Sequence, residues 1–132
     1  MRDQIRFKIG KEEKNIQEKW IEIPEGTEHI QMMIEMPEEF RYMAFLFLED
    51  PKKEIRFQKL LGYGQQNPGI GKSTKDTTIG GVPGEIYPGT WKIGIGIFTE
   101  YVAQKLGEQT GEIVLTVSDR KDVVSDPIGG EC

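Results

Sequence analysis

From Tyr87 to Phe98 the chain reads Tyr-Pro-Gly-Thr-Trp-Lys-Ile-Gly-Ile-Gly-Ile-Phe, and this stretch constrains the fold more than any other. Pro88-Gly89 is the pair that a type II turn wants, because proline pre-sets the first central residue and glycine supplies positive φ at the second. After the turn, Trp91, Ile93, Ile95 and Ile97 alternate with Lys92, Gly94 and Gly96. A period of two places the four large apolar side chains on one face of a strand. The opposite face is nearly bare, and glycine inside a strand marks a bend or the close approach of other atoms. The pattern predicts a central strand of a β-sandwich.

The flanking segments repeat the same period. Ile5, Phe7 and Ile9 alternate with Arg6 and Lys8, as in a charged edge strand. Ile21 and Ile23 alternate with Trp20 and Glu22, and Pro24-Glu25-Gly26 then turns the chain. From Glu28 to Met36, Ile30, Met32, Ile34 and Met36 point inward and Gln31, Met33 and Glu35 outward, so the two segments read as an antiparallel hairpin. Tyr42 to Leu48 is the most apolar run, too short for a typical helix and consistent with a strand covered on both faces. Glu49-Asp50-Pro51-Lys52-Lys53 is a turn, and Ile55 to Leu61 returns with mixed periodicity. Gly62 to Asp76 reads as a glycine-rich polar loop, Thr77 to Gly81 as a possible short strand, and Val102 to Leu106 as room for one helical turn. Ile113, Leu115 and Val117 define the last strand. Seven or eight strands and three Pro-Gly turns predict an all-β, antiparallel two-sheet sandwich, jelly-roll-like, over residues 1–118. Its expected core is Trp91, Ile93, Ile95, Ile97, Ile30, Met32, Ile34, Phe45, Phe47, Ile113, Leu115 and Val117. Residues 119–132 read as an exit linker toward a further C-terminal domain.

Composition limits the function. With 132 residues the chain is long enough for one domain that buries roughly two-thirds of its unfolded surface. A net charge of −5 argues against a nucleic-acid or anionic-membrane surface. The one cysteine, Cys132, cannot form an intramolecular disulfide, and no run has signal-peptide or membrane-span character, so a cytoplasmic address is expected.

No residue is assigned a catalytic, cofactor-binding or metal-binding role. Gly69-Ile70-Gly71-Lys72-Ser73-Thr74 ends like a phosphate-binding loop. However, Gln66 stands where its first glycine belongs, and no helix pattern follows. His29 is the single histidine, which with one terminal cysteine cannot build a zinc or two-metal site. The carboxylates Glu12, Glu13, Glu38, Glu39, Glu49 and Asp50 fall in turns where solvation accounts for them. Trp20, Tyr63, Tyr87 and Tyr101 are the aromatics available to a ligand, while Trp91 belongs to the buried stripe.

Four segments carry a resemblance. Ile21-Glu22-Ile23-Pro24-Glu25-Gly26-Thr27-Glu28-His29-Ile30 resembles the I-x-V-P-x-G-x-x-x-L opening of a jelly-roll-like module. Phe45-Leu46-Phe47-Leu48-Glu49-Asp50-Pro51 is similar to its D-L-G-L-F-D-P strand, without the leading aspartate. Gly62 to Ser73 resembles its glycine- and serine-rich loop. Gly81 to Gly96 resembles its G-x-x-P-G-P-I-x-P-G-x-W-x-V-x-L-G segment most closely. That module stands at the N-terminus of many bacterial PHP-type (polymerase and histidinol phosphatase) metallohydrolases, ahead of a linker and an Asp-Leu-His-x-His-Thr motif that begins the metal-binding barrel. The resemblance implies a non-catalytic accessory domain whose partner is a C-terminal PHP-type phosphoesterase domain in the same chain. The family's metal ligands would lie beyond Cys132. The alternative is a free-standing carbohydrate- or calcium-binding β-sandwich.

Overall fold

The computed structural model describes residues 1–119. The expected linker therefore lies outside the described residues, apart from Asp119. Alternating segments become strands: β1 (Arg2–Ile9), β2 (Ile16–Ile23), β3 (His29–Met36), β4 (Ala44–Glu49), β5 (Ile55–Leu60), β6 (Gly64–Gln66), β7 (Gly69–Gly71), β8 (Gly89–Ile97) and β9 (Gly111–Ser118), with one helix, α1 (Thr99–Leu106). Every pairing is antiparallel. One sheet runs β1-β9-β3 with β6 and β7 side by side along the far edge of β3, and the other runs β2-β8-β4-β5.

The topology follows one rule. β6 pairs with Ile34–Met36 and β7 with His29–Gln31, so together they fill a single strand position beside β3. The pairs then nest: β1 with β9, β2 with β8, β3 with β6 and β7, and β4 with β5. The chain is one long hairpin whose tip is the turn at Asp50, rolled so that successive pairs fall in opposite sheets. This is a jelly roll. β8 lies between β2 and β4, the central position that its sequence predicts, and Gly89 takes the expected positive φ of 122°.

The buried stripes meet between the sheets. Ile5, Phe7 and Ile9 of β1, Ile30, Met32, Ile34 and Met36 of β3, and Ile113, Leu115 and Val117 of β9 face Ile21 and Ile23 of β2, Leu46 and Leu48 of β4, and Trp91, Ile93, Ile95 and Ile97 of β8. Val102 of α1 adds a buried side chain at one end of the roll.

Five expectations are corrected. Trp20–Ile23 and Glu28–Met36 do not form a hairpin, because β2 pairs with β8 and β3 with β9 in the other sheet. The Pro24–Thr27 corner, closed by the Thr27 Oγ1 hydrogen bond to Pro24 O at 2.8 Å, carries the chain across the core. Gly62–Asp76 is not a plain loop, since it contributes β6 and β7. Thr77–Gly81 forms no strand, only isolated bridge residues at Thr78 and at Gly81, the latter opposite Phe57. The connection before β9 holds an eight-residue helix, more than the single turn expected.

The fifth concerns β4, which turns the opposite face inward from the one expected. Ala44, Leu46 and Leu48 are buried, whereas Phe45 and Phe47 are half-buried on the outside. The partner strand supplies the reason. Phe47 lies opposite Gly94 and Phe45 opposite Gly96. A Cβ placed on Gly94 would sit 1.9 Å from Phe47 Cζ, so the ring occupies the space a side chain would take. The Phe47 ring thus covers the bare face of β8 at Gly94, as aromatic residues do over strand glycines, while the space over Gly96 stays open.

Gly94→Ala tests this arrangement. Glycine in a strand costs about 0.5–1 kcal/mol relative to alanine, while overpacking costs about 1–3 kcal/mol. Urea denaturation should show Gly94→Ala destabilising beside Phe47 and neutral or stabilising beside Phe47→Ala. Additive effects of the two substitutions would contradict the contact.

Candidate interaction surface

The register places the outward side chains of the β2-β8-β4-β5 sheet in rows. One row reads Ile16, Gly96, Phe45, Leu60, the next Glu18, Gly94, Phe47, Gln58, and the third Trp20, Lys92, Glu49, Ile55. Ile16 and Trp20 are each 60% exposed, Leu60 43% and Ile55 41%. One row is therefore apolar across all four strands, and an exposed tryptophan stands two rows away, four residues further along β2.

The polar groups of this face bind one another. Lys92 Nζ lies 3.0 Å from Glu18 and 3.7 Å from Glu49. The hydrogen bond to Glu18, with the attraction of both carboxylates, raises the Lys92 pKa above its ordinary value of 10.5. Because the folded pKa is raised, the pairing favours the fold below the ordinary lysine range and is lost as pH climbs through the raised value. Thr90 donates to Glu22 at the end of the face.

The outer face of the other sheet differs. It presents Gln4, Arg6 and Lys8 from β1, Glu112, Val114 and Thr116 from β9, and Met33 and Glu35 from β3, while Gln31 is buried and donates to Asn67 O and Pro68 O. Arg6 and Glu112 form an exposed ion pair at 3.3 Å. An antiparallel sandwich ordinarily solvates its outer faces with polar residues, and only this sheet follows that rule.

The residues singled out by sequence are dispersed. Gly69–Gly71 is strand β7, and Ser73 donates to Asp76 in a short 3₁₀ turn, so no phosphate-binding helix terminus forms. His29 is half-buried against β7 and bonded to Gln31 at 3.1 Å, with Gly69 and Gly71 leaving room for the ring. Glu12 pairs with Lys11, Glu38 with Arg41 and Glu49 with Lys92. Among the described residues, no three His, Cys, Asp or Glu side chains form a group able to hold a metal ion. Tyr63 and Tyr101 are exposed, on a loop and on α1. Tyr87 is half-buried beneath Lys52, whose ammonium lies 4.3 Å from the ring centre. Of the expected aromatics, only Trp20 stands on the sheet face. The rest of that surface was missed, because its partners become neighbours only through pairing.

Asp50 departs from its expected solvated role. It is buried and ion-paired with buried Arg56 at 3.3 Å. Its Oδ1 accepts from the Lys52 and Glu54 amides, shaping the tip of the long hairpin. Arg56 also donates to Val82 O and Glu85 O, and its guanidinium lies 5.4 Å from the Trp91 ring. One side chain thus ties the β4–β5 turn, the loop before β8 and the start of β8 together.

Fold and surface together define an all-β jelly-roll sandwich with one polar and one partly apolar outer face. In comparison with known proteins, the chain matches no family model and no curated sequence. Among the described residues, no helix is long and apolar enough to cross a membrane.

Arg56→Met should be among the costliest substitutions outside the apolar core, because it leaves the Asp50 carboxylate buried without its partner. Losing one member of a buried pair costs about 3–5 kcal/mol. Chemical denaturation measures it, and a loss no larger than that of the exposed Arg6→Met would show that the pair does not organise the loop.

Proposed function

We propose that this chain is a non-catalytic accessory β-sandwich that docks its β2-β8-β4-β5 sheet against a protein partner, within a larger bacterial PHP-type metal-dependent phosphoesterase. The observation that carries the docking role is the exposed apolar row, with exposed Trp20 on the same face, on one outer face only. Exposed contiguous apolar surface costs solubility and marks interaction sites. The resemblance of Gly81–Gly96 to the closing segment of the PHP-associated module supplies the parent class. The metal ligands and the water they activate would belong to the catalytic domain, and the sandwich would present a rigid platform beside it.

Trp20 also favours a second reading, a carbohydrate-binding module, since an exposed indole framed by Glu18, Lys92 and Glu22 offers both a stacking face and hydrogen-bonding groups. The two readings separate by thermal denaturation. A sugar that binds the folded chain raises its melting temperature by ligand linkage, whereas docking predicts no response to a sugar panel or to millimolar calcium.

The catalytic assignment is tested directly. Residues 1–132 assayed against p-nitrophenyl phosphate and bis-p-nitrophenyl phosphate with zinc, manganese or iron should give no turnover above a metal-only blank. Turnover that disappears in His29→Ala would overturn the non-catalytic assignment.

A further inference from the structure

We propose that the outer face of the β2-β8-β4-β5 sheet receives a basic amphipathic α-helix. This rests on the docking function above and adds the chemistry of what docks.

Two features select the occupant. The first is shape. A sheet face is closed either by a second sheet or by helices. β2 has eight residues, which span about 26 Å at strand rise and match a helix of about 17 residues. Gly96 makes a low point in the apolar row between Ile16 and Phe45, where a convex helix surface can settle. Trp20 stands four residues further along β2 from Ile16, within reach of a helix that runs along the strands, and is a large side chain of the type that dominates interface energies.

The second feature is charge. The face carries three carboxylates, Glu18, Glu22 and Glu49, against one lysine, Lys92. Lys92 is already shared by Glu18 and Glu49. A second copy stacked on this sheet would bring like charges together, which opposes self-association. A helix laid along β8, with leucine-type side chains over Ile16, Phe45, Phe47 and Trp20 and with lysine or arginine along both flanks, would meet the carboxylates with opposite charge. Such complementarity governs partner choice and encounter rate more than total affinity.

The two tryptophans make the test direct, since Trp20 is exposed on the face and Trp91 is fully buried. The probes are three helical peptides of about 17 residues with one leucine stripe and flanks of lysine, glutamine or glutamate. At low salt the lysine peptide should shift Trp20 emission to the blue, protect it from acrylamide and bind about tenfold tighter than the glutamate peptide. Trp20→Phe should abolish the optical response. Glu18→Gln with Glu22→Gln should shrink the preference for lysine at least about threefold, while Glu12→Gln with Glu13→Gln, off this face, should not.

Equal affinity for all three peptides would overturn this inference and leave docking intact. An equal loss from the off-face pair would trace the preference to net charge and overturn it too. A chain that dimerises with Trp20 already protected would assign the face to a second copy. No protection of Trp20 by any peptide would count against both the helix and the docking reading.

Discussion

β8 is hydrogen-bonded along both edges, and its pleat decides the rest of the sandwich. Trp91, Ile93, Ile95 and Ile97 cannot face water together without losing about 1.5–3 kcal/mol each. They therefore fix which side of the sheet is interior. That choice sets the phase of β2 and β4, because directly paired residues share a face. Ile21 turns inward opposite Trp91, and Leu46 and Leu48 turn inward opposite Ile95 and Ile93. It also forces Phe45, Phe47 and Trp20 outward, so the exposed apolar face is a consequence of the same pleat that builds the core. Arg56 secures the strand at its start by joining Asp50, the 82–85 loop and the Trp91 ring.

Periodicity made the strands legible and left their partners hidden. The stripes in Gln4–Ile9, Glu28–Met36, Trp91–Ile97 and Ile113–Val117 all point inward as their spacing predicts, because a half-buried strand has only two faces to choose between. Tyr42–Leu48 failed for the same reason. Both of its faces are apolar, and the facing is decided by β8, whose Gly94 receives the Phe47 ring, at a sequence separation no local pattern spans. The β2–β3 corner failed because a sheet-crossing link and a hairpin link leave the same alternation on either side. β6 and β7 are three residues each, and all but Ile70 are glycine or glutamine, so no period can show. Asp50 looked solvated because its countercharge, Arg56, reaches it only after the turn closes.

The candidate surface was half legible. Trp20 stood out as an aromatic on the polar side of its strand, and Lys92 as the charge on the bare side of β8. Ile16, Phe45 and Leu60 gave no such signal, since each joins the row only through cross-strand register. The two outer faces then acquire distinct compositions from one construction rule. The β1-β9-β3 sheet turns charged and amide side chains to water, while the β2-β8-β4-β5 sheet keeps its few charges tied to each other around an apolar row. A module built this way is one-sided, which is the feature the proposed docking uses.

Both the core and the proposed docking surface rest on the facing of β2 and β8, and the two indole N–H groups report it in one experiment. Trp91 is buried and donates to Tyr87 O at 2.7 Å, whereas Trp20 is 60% exposed. In hydrogen exchange followed by NMR, the Trp91 indole and the Ile93 and Ile95 amides should exchange only through global opening, and the Trp20 indole should exchange freely. Comparable protection of both indoles, or exchange of Trp91 as fast as that of Trp20, would contradict the register and the surface derived from it.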